Sequence, residues 1–345
     1  MVYSAGKYVK ASTTTEPAAY GNISGTWNVA AYMNAALFAP IRVKSVSYPV
    51  DRGLLIEENI ESPIPAYAFG GALKVSGTIE GNLRPKQMMP FWLSLFGPSV
   101  ALAAGDPIAA GWKFTLGAPS SMQLKIGENT SAATTDMELG YTGVGIKSAN
   151  ISIAAKEFVT ARFDWFAKQY IASSPYSPPD SSEYVAEDPI VFYNATIGIG
   201  GVANTKIKSM TINIDRKVDE ERFVIGDYTL NEIGTNGMTD VSGDITFTEK
   251  DYQDFKYALF GAASGMAAQP ALGCDNQIGG GAFLVTFNTI AACGSEVPTM
   301  YIKFTKINFA TTDTTMTGQN EIEKKVTWKA TGTAATGFEL GYSTA

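Results

Sequence analysis

The chain has 345 residues, of which 45% are hydrophobic and 17% are charged, and its formal net charge is −7. This length is natural for two domains, and so much apolar material can fill their cores, which excludes a disordered chain. The sequence contains no histidine, which excludes Ser-His-Asp and Cys-His catalysis and histidine-metal sites. The acidic balance argues against a protein that grips nucleic acid over most of its surface.

Charge and cysteine are unevenly distributed along the chain. Residues 1–172 carry 14 basic and 12 acidic side chains, whereas residues 173–345 carry 12 basic and 21 acidic ones. Either the second half exposes more charged side chains to solvent than the first, or it has an acidic face with a function. Cys274 and Cys293 can form one disulfide or remain as two thiols. The first residues lack the apolar core of a signal peptide, and no apolar stretch reaches about 18 residues, so we expect a protein made without export that spans no membrane.

The chain repeats itself around a proline- and serine-rich linker at residues 173–184. Four short segments recur in the same order with a shift of about 164 residues. The matching segments are 44–52 with 208–216, 75–79 with 241–245, 95–97 with 259–261, and 163–167 with 326–330. We therefore predict two tandem domains, residues 1–172 and residues 185–345, that arose by duplication.

The predicted elements, taken in chain order, are alike in the two halves. Alternation of apolar and polar residues predicts four strands in each half. These strands cover residues 41–50, 73–80, 145–155 and 158–168, and residues 206–214, 239–248, 300–310 and 322–330. A short helix is predicted after the second strand, from Pro85 to Gly97 in the first half and from Thr248 to Gly261 in the second. Pro90 removes one internal hydrogen bond and should kink the first helix or make it start late.

Between the first two strands of each half lies a charged, extended stretch, residues 51–65 and residues 215–227. It can be a solvated hairpin loop or an arm that reaches a neighbouring subunit. Its apolar side chains favour the arm, because they would be stabilised by packing against another surface. The residues proposed for the two arms are Leu54, Leu55, Ile56, Glu57, Glu58, Phe223, Val224 and Ile225. The whole pattern predicts a mainly β protein made of two tandem β-sandwich or partial-barrel domains, each with one short α-helix.

A β-sandwich with such an arm, a Val-Ser-Gly strand, a short helix ending in Leu-Phe-Gly and a closing strand with tryptophan resembles the major tail tube proteins of long-tailed, siphovirus-type phages. The duplicated chain is similar to those in which one polypeptide supplies two tube domains. The residues that carry the resemblance, all expected to be structural, are Gly77, Phe96, Gly97, Trp165, Gly243, Phe260, Gly261 and Trp328.

The resemblance implies a structural virion protein without catalytic, cofactor or metal sites. Three chains would supply six tube domains to a ring with pseudo-six-fold symmetry, and stacked rings would form a hollow tube, usually acidic inside, that conducts DNA into the host. The implied partners are further copies of the chain and the tape-measure, tail-tip and tail-terminator proteins, with DNA passing through without specific binding. The implied location is the virion tail, after synthesis in the host cytoplasm.

Other functions fit the sequence less well. Glu57-Glu58 and the acidic residues 219–221 could pair for glycoside hydrolysis or calcium binding, but solvated arm charges explain them better. The glycine clusters at 198–201 and 279–281 lack the strand-to-helix context of a dinucleotide site. The alternatives left open are a distal tail protein, the tube of a contractile tail, a surface adhesin or surface-layer subunit, and a lectin-like protein.

Overall fold

The computed structural model describes a mainly β protein, as the composition predicts. The described residues are 7–12, 38–57, 67–103, 105–108, 110–128, 137–173, 179, 181–199, 202–204, 207–225, 227–248, 283–290, 296–315, 323–332 and 337–343. Within these ranges the chain forms one α-helix, two short 3-10 helices and twenty-two strands.

The first half of the chain contributes eleven strands and the helix. They are β1 (Lys7–Ser12), β2 (Phe38–Ile41), β3 (Ser45–Ser47), β4 (Val50–Glu57), β5 (Tyr67–Asn82), α1 (Met89–Phe96), β6 (Val100–Ala101), β7 (Gly111–Phe114), β8 (Met122–Glu128), β9 (Met137–Ala154), β10 (Thr160–Ala167) and β11 (Gln169–Ser173). The 3-10 helices Ser181–Glu183 and Phe192–Asn194 follow. The second half contributes β12 (Ala195–Ile199), β13 (Val202–Asn204), β14 (Ile207–Asp215), β15 (Val218–Asp219), β16 (Gly234–Thr235), β17 (Asp240–Thr248), β18 (Phe283–Ile290), β19 (Glu296–Phe304), β20 (Ile307–Thr315), β21 (Glu323–Ala330) and β22 (Phe338–Ser343).

One sheet, called the long sheet below, runs through both halves of the chain. Its strands are antiparallel and lie in the order β5-β10-β9-β14-β17-β21-β20, with β3 and β4 paired in succession to the other edge of β5. The halves meet where β9 pairs with β14, from Ser209 opposite Ala154 to Asp215 opposite Ser148. The two halves are therefore joined edge to edge.

Each half also has a sheet of its own. The first-half sheet has the order β2-β1-β8-β9-β11 and uses the amino-terminal part of the 18-residue strand β9. The second-half sheet has the order β13-β12-β18-β19-β22 and continues into β7 and β6. Strands from both sides of the predicted domain boundary thus share a sheet, and the boundary itself stays a prediction.

The strand order is the same in the two halves. In the long sheet, β3/β4-β5-β10-β9 is followed by β14-β17-β21-β20. An irregularity also recurs: β9 carries the extra residue Lys147 opposite the step from Asp164 to Trp165, and β20 carries Ala310 opposite the step before Trp328. A β-bulge is a specific local feature, so its recurrence beside a tryptophan in both halves is a strong correspondence of geometry.

Alternating sequence places one face of the long sheet in the core. In β17 every second residue is buried and those between are half-buried. The buried face packs against the two half sheets: the ring of Trp165 lies 5.0 Å from that of Tyr141 in β9, and the ring of Trp328 lies 5.3 Å from that of Phe304 in β19. Each half is therefore a two-layer sandwich, and the buried residues form one contiguous cluster.

The helix begins later than Pro85, as Pro90 predicts. Helix α1 starts at Met89, and Pro90 stands in its first turn, where a missing N–H costs no internal hydrogen bond. The prediction of Pro85 as its first residue is wrong, because residues 85–88 form turns. Gly97 ends the helix with a φ of 87°, and its N–H donates to the carbonyl of Leu93 at 2.9 Å.

Two of the eight predicted strands are broken. Residues 41–50 are divided among β2, β3 and β4, and Pro49, which has no N–H for the ladder, stands just before β4. Residues 300–310 are divided because the chain leaves the second-half sheet after β19 and enters the long sheet as β20. The other six predictions are confirmed as β5, β9, β10, β14, β17 and β21.

Candidate functional site

Within the part of the chain that the structure describes, both ends of the long sheet are open edges. In the part of the chain that the structure describes, β20 pairs with β21 alone, and β3 and β4 pair with β5 alone. An edge strand presents backbone N–H and C=O groups to which another strand can bond. β20 is rich in threonine, which favours extended structure. Each end of the sheet can therefore accept a strand from another molecule.

The pairing of β9 with β14 demonstrates how two such edges fit together. On the core side Ile151 lies directly opposite Ile212, and both side chains are 0% exposed. On the other side the amide of Asn150 donates to the side-chain oxygen of Asn213. A complete backbone ladder with apolar pairs inside and polar pairs outside is a stable junction.

The first arm is the far end of the β4–β5 hairpin. Residues 54–57 of the proposed arm lie in β4 opposite residues 67–70 of β5, and Glu58 lies outside the described residues. Leu55 is directly opposite Phe69, and the two side chains are 63% and 60% exposed. A cross-strand pair of large apolar side chains at this exposure marks a contact surface.

The predicted arm at residues 215–227 is part of a longer connection that ends before β17. The described residues of 216–239, called the second arm from here on, fold back over the first half. The backbone N–H of Leu73 in β5 donates to the carbonyl of Tyr228 at 2.8 Å. The ammonium of Lys74 lies 2.7 Å from a carboxylate oxygen of Glu221. The second arm is therefore docked on its own chain.

The apolar residues proposed for the second arm lie in different environments. Val224 is 46% exposed and Ile225 is fully exposed. Phe223 is half-buried in a small cavity. The apolar residues that line this cavity with it are Leu73, Val75, Phe166, Ala167 and Leu230. Phe223 thus holds the arm on the molecule, while Ile225 projects from it.

Short-range hydrogen bonds brace the second arm. The backbone N–H of Glu221 donates to Asp219 at 3.0 Å and holds the pKa of that carboxyl below its ordinary value. The backbone N–H of Thr229 donates to Asp227 at 2.8 Å and lowers the pKa of Asp227 in the same way. These bonds favour the charged carboxylates, so the arm is best held where both are ionised.

The face of the long sheet turned away from the core, called the polar face below, carries hydroxyl, amide and charged side chains. Its residues are Ser47, Asp51, Lys74, Ser76, Thr78, Glu80, Ser148, Asn150, Ser152, Arg162, Asp164, Ser209, Thr211, Asn213, Asp215, Asp240, Ser242, Asp244, Thr246, Glu323, Lys325, Thr327 and Lys329. Charges there are paired across strands: Lys325 lies 3.2 Å from Asp244, and Lys329 lies 2.9 Å from Asp240. The polar face is therefore only slightly acidic.

The second arm carries five acidic side chains against the three basic ones Arg216, Lys217 and Arg222, so it accounts for only a small part of the acidic excess of the second half. The acidic side chains there are Asp219, Glu220, Glu221, Asp227 and Glu232. Two of the carboxylates considered as a catalytic or calcium pair bind cations of the same chain, because Glu220 lies 2.7 Å from Lys147 and Glu221 is paired with Lys74.

The residues of the repeated motifs meet in space. Gly77 lies opposite Trp165, and Gly243 lies opposite Trp328, in the ladders of β5 with β10 and of β17 with β21. A Cβ atom on either glycine would stand 2.8 Å from the indole ring of its partner. The Val-Ser-Gly strand and the tryptophan strand of each half are therefore parts of one packing unit.

The aromatic residue of the first Leu-Phe-Gly motif connects the halves. The ring of Phe96 lies 4.8 Å from that of Phe338 in β22 and 6.2 Å from that of Phe114 in β7. Phe260 and Gly261, its counterparts in the second half, lie outside the described residues. So does the second predicted helix except for Thr248, which is the last residue of β17.

A family model for phage tail tube proteins matches residues 61–330, well over half of the chain. The chain belongs to the phage tail tube protein family. It is a structural component of the virion tail, and the resemblance drawn from the sequence is confirmed at this level. A search of curated proteins finds no match.

Sequence reasoning missed two parts of the tail tube protein that bear on assembly. One is the strand β7, where Trp112 and Phe114 pair with Tyr342 and Leu340 of β22. Its alternating Gly-Trp-Lys-Phe is a strand signal, but four residues are too few to separate it from a loop. The other is the open edge of β20, because a sequence does not disclose which strand ends a sheet.

The described part of the tail tube protein has no cluster of three or more His, Cys, Asp or Glu side chains placed to hold a metal ion. No helix in the same part is long and apolar enough to cross a membrane.

Proposed function

We propose that the tail tube protein assembles edge to edge into closed rings of three chains, and that stacked rings form the hollow tube that conducts DNA. The observation that carries this proposal is the pairing of β9 with β14. In the order of the long sheet, β9 is the last strand from the first half and β14 is the first strand from the second. The edge strands β20 and β3/β4 hold the same places in the repeated order. A second copy can therefore add at either end by the contact already made inside the chain.

The repeated strand order and the matched bulges also support a tandem duplication, with residues 1–172 and 185–345 as its two units. Contacts between unlike edges are head-to-tail, so repeated addition gives either a closed ring or an open filament. If six units close the ring, as the resemblance implies, three chains are needed.

The correspondence of the halves gives a register for the contact between chains. Within the chain, Asp215 of β14 lies opposite Ser148 of β9. Asp215 corresponds to Asp51 in the aligned repeat, and the matched bulges align Ser148 with Thr311. Asp51 of one copy should therefore lie opposite Thr311 of the next.

The polar face suits the inside of such a tube. The core face of the long sheet is covered by the two half sheets, and this second layer needs the larger circumference on the outside of a ring. The polar face would then line the channel. Its cations are few and its charges largely paired, so it offers few sites that would grip DNA phosphates and slow their passage.

A disulfide test addresses the ring contact directly. Asp51→Cys and Thr311→Cys are combined in a chain whose native cysteines are replaced by Cys274→Ser and Cys293→Ser, and the assembled protein is oxidised. We expect a covalent trimer on a non-reducing gel. Cross-linked products of many more than three chains would show that the chains form an open filament and not a closed ring. If assembled protein gives no cross-link at all, the proposed edge contact is wrong.

A matched control uses Asp51→Cys with Asp313→Cys on the same background. Asp313 is two residues along β20, which displaces its Cα by roughly 7 Å, outside the range that a disulfide spans. We expect far less covalent trimer from this pair.

A further inference from the structure

The strands of the long sheet finish at two rims of different character. At one rim, called the arm rim below, β10 and β14 end at Ala167 and Asp215, and both arms lie there. At the opposite rim, called the far rim below, β9 ends at Ala154 while β10 and β14 begin at Thr160 and Ile207. The seven residues of β14 that pair with β9 separate the two rims by roughly 20 Å.

The far rim contains an apolar cavity, called the rim groove below. Its volume is about 340 Å³, and it is lined by β9, β12, β14 and the 3-10 helix Phe192–Asn194. A water molecule takes about 30 Å³ in the liquid, so the groove has room for side chains of a docking segment. Apolar residues of its lining are Ile153, Ala155, Phe192, Tyr193, Ile197 and Ile207.

Large aromatic side chains are exposed at the rim groove. Tyr193 in its lining is 62% exposed, and Phe158 in the turn between β9 and β10 is 46% exposed. Phe158 forms a backbone bridge with Val191, just before the 3-10 helix. The N–H of Phe192 donates to the carbonyl of Glu157 at 3.1 Å. The turn and the 3-10 helix thus form one surface whose exposed aromatic rings mark a contact site.

Apolar side chains also project at the arm rim, from the second arm. Val224 is 46% exposed and Tyr228 is 65% exposed. Met238 is 90% exposed, and Ile225 is fully exposed. Because Phe223 anchors the arm in its own cavity, the second arm presents Ile225 from a fixed support.

Each of these two surfaces has a charged side chain beside it, and the charges have opposite signs. Lys156 lies in the turn between β9 and β10, two residues before Phe158. Asp227 follows Ile225 by two residues in the second arm. Both charged side chains are exposed, and neither forms an ion pair within the described part of the chain. The surfaces therefore complement each other in charge as well as in apolar character.

Stacking would bring these unlike rims together. Strands joined edge to edge around a ring run along its axis with a tilt, so the two rims of the long sheet face the rings above and below. In a stack of rings that all point the same way, the arm rim of each ring meets the far rim of the next. This is a head-to-tail contact between two different surfaces of the same chain.

We propose that Ile225 of the second arm inserts into the rim groove of a copy in the adjacent ring, and that Asp227 pairs there with Lys156. The proposal rests on the proposed function, because it needs stacked rings. Each chain supplies one second arm and one rim groove, so a ring of three makes three such contacts with the next ring. The contact also gives the tube a direction, since two arm rims would bring Asp227 of one copy against Asp227 of another.

Cross-linking in assembled tubes tests the contact. Ile225→Cys and Tyr193→Cys are combined in the chain with Cys274→Ser and Cys293→Ser, and tubes are treated with a short bis-maleimide, which tolerates a shift in register that a disulfide does not. We expect covalent products of many chains, because the linked copies lie in successive rings. Unassembled protein should give no such products.

Two controls use the same background. Leu55→Cys with Tyr193→Cys tests the first arm and should give far less product, whereas a larger yield than from Ile225→Cys would place the first arm in the groove and overturn the proposal. Ile225→Cys alone should give no cross-link. Dimers from this single variant in tubes would show that arm rims meet each other, which also overturns it.

The disulfide between Asp51→Cys and Thr311→Cys separates this contact from the ring. If tubes form that covalent trimer but give no product from Ile225→Cys with Tyr193→Cys, the ring stands and the docking of Ile225 is wrong. If the second pair links and the first does not, the docking stands and the proposed ring contact is wrong.

Charge changes beside Phe158 test the ion pair. Lys156→Glu should raise the protein concentration needed for tubes several-fold, because the glutamate would face Asp227, while the urea midpoint of unassembled protein stays unchanged. Glu157→Lys makes the opposite change at the next residue and should lower that concentration. Equal concentrations for the two variants would show that Asp227 does not pair with Lys156.

Discussion

Two glycines determine how closely the strands of each half pack around a tryptophan. Gly77 and Gly243 each face an indole ring across the ladder, and each also lies close to the backbone of the strand on its other side. Glycine is needed here because of space: a Cβ atom would overlap both the indole ring and the backbone of the adjacent strand. The sequence identified both glycines and both tryptophans, but the contact between them depends on strand register, which no local pattern discloses.

Adding a methyl group at one of these sites tests the packing. Gly243→Ala should lower the free energy of unfolding by about 1–3 kcal/mol, because the new Cβ meets the Trp328 ring and the backbone of Thr211. The measurement is urea unfolding of unassembled protein. Gly70→Ala is the control, since its Cβ would meet nothing within 4 Å. Equal midpoints for the two variants would contradict this account of the glycine.

Ionisation of Asp227 should make the stability of the second arm depend on pH. The pKa of this carboxyl in the folded protein lies below its ordinary value of 3.8, so its contribution is present above that pH and is lost as the pH falls below it. Asp227→Asn should therefore reduce the urea midpoint at pH 7, and the difference from the parent should shrink as the pH falls below 3.8. Asp188→Asn, at an exposed carboxylate elsewhere, is the control. A difference that persists unchanged at pH 3 would show that the charge is not the cause.

At the scale of elements, the two arms differ although their sequences occupy the same place in the repeat. The first is an extended hairpin, and the second is folded against β5 of its own chain. The sequence predicted the position of both arms and the apolar character of their tips. It did not predict the docking of the second arm, because that depends on Lys74 and Leu73 in the other half.

The first arm should act in the stacking of rings. Leu55→Glu places a charge on the exposed Leu55–Phe69 face, so we expect rings to form normally but tubes to become several-fold shorter by electron microscopy. Ala68→Glu, at the neighbouring exposed position on the opposite face of the hairpin, is the control and should leave tube length unchanged. If Leu55→Glu gives tubes of normal length, this face takes no part in the stacking contact.

In the second arm, Phe223 and Ile225 should have separable effects. Ile225→Asp should reduce assembly without altering the urea midpoint of unassembled protein, because Ile225 is fully exposed. Phe223→Ala should lower that midpoint, since removing the ring enlarges the cavity that Phe223 lines with Leu73. A normal assembly profile for Ile225→Asp would make this part of the arm a solvated loop.

At the scale of the whole molecule, the family and most of the strands could be predicted from the sequence, whereas the connectivity of the sheets could not. The repeated segments that support the duplication, the strand types and the family resemblance could all be read from stretches of three to nine residues. The joining of the halves through β9 and β14, and the crossing of β7 into the second-half sheet, arise from pairings between distant residues. Those pairings determine which edges of the described sheets remain open, and the proposed assembly takes place through these open edges.

The central claim is that one chain supplies two equivalent units to a ring of three. Cryo-electron microscopy of tubes grown from concentrated, gently warmed protein tests it most directly. End-on views should show a hollow ring with six similar densities and a mass of three chains of 36.7 kDa each. Six chains in one ring, or filaments without a channel, would contradict the account.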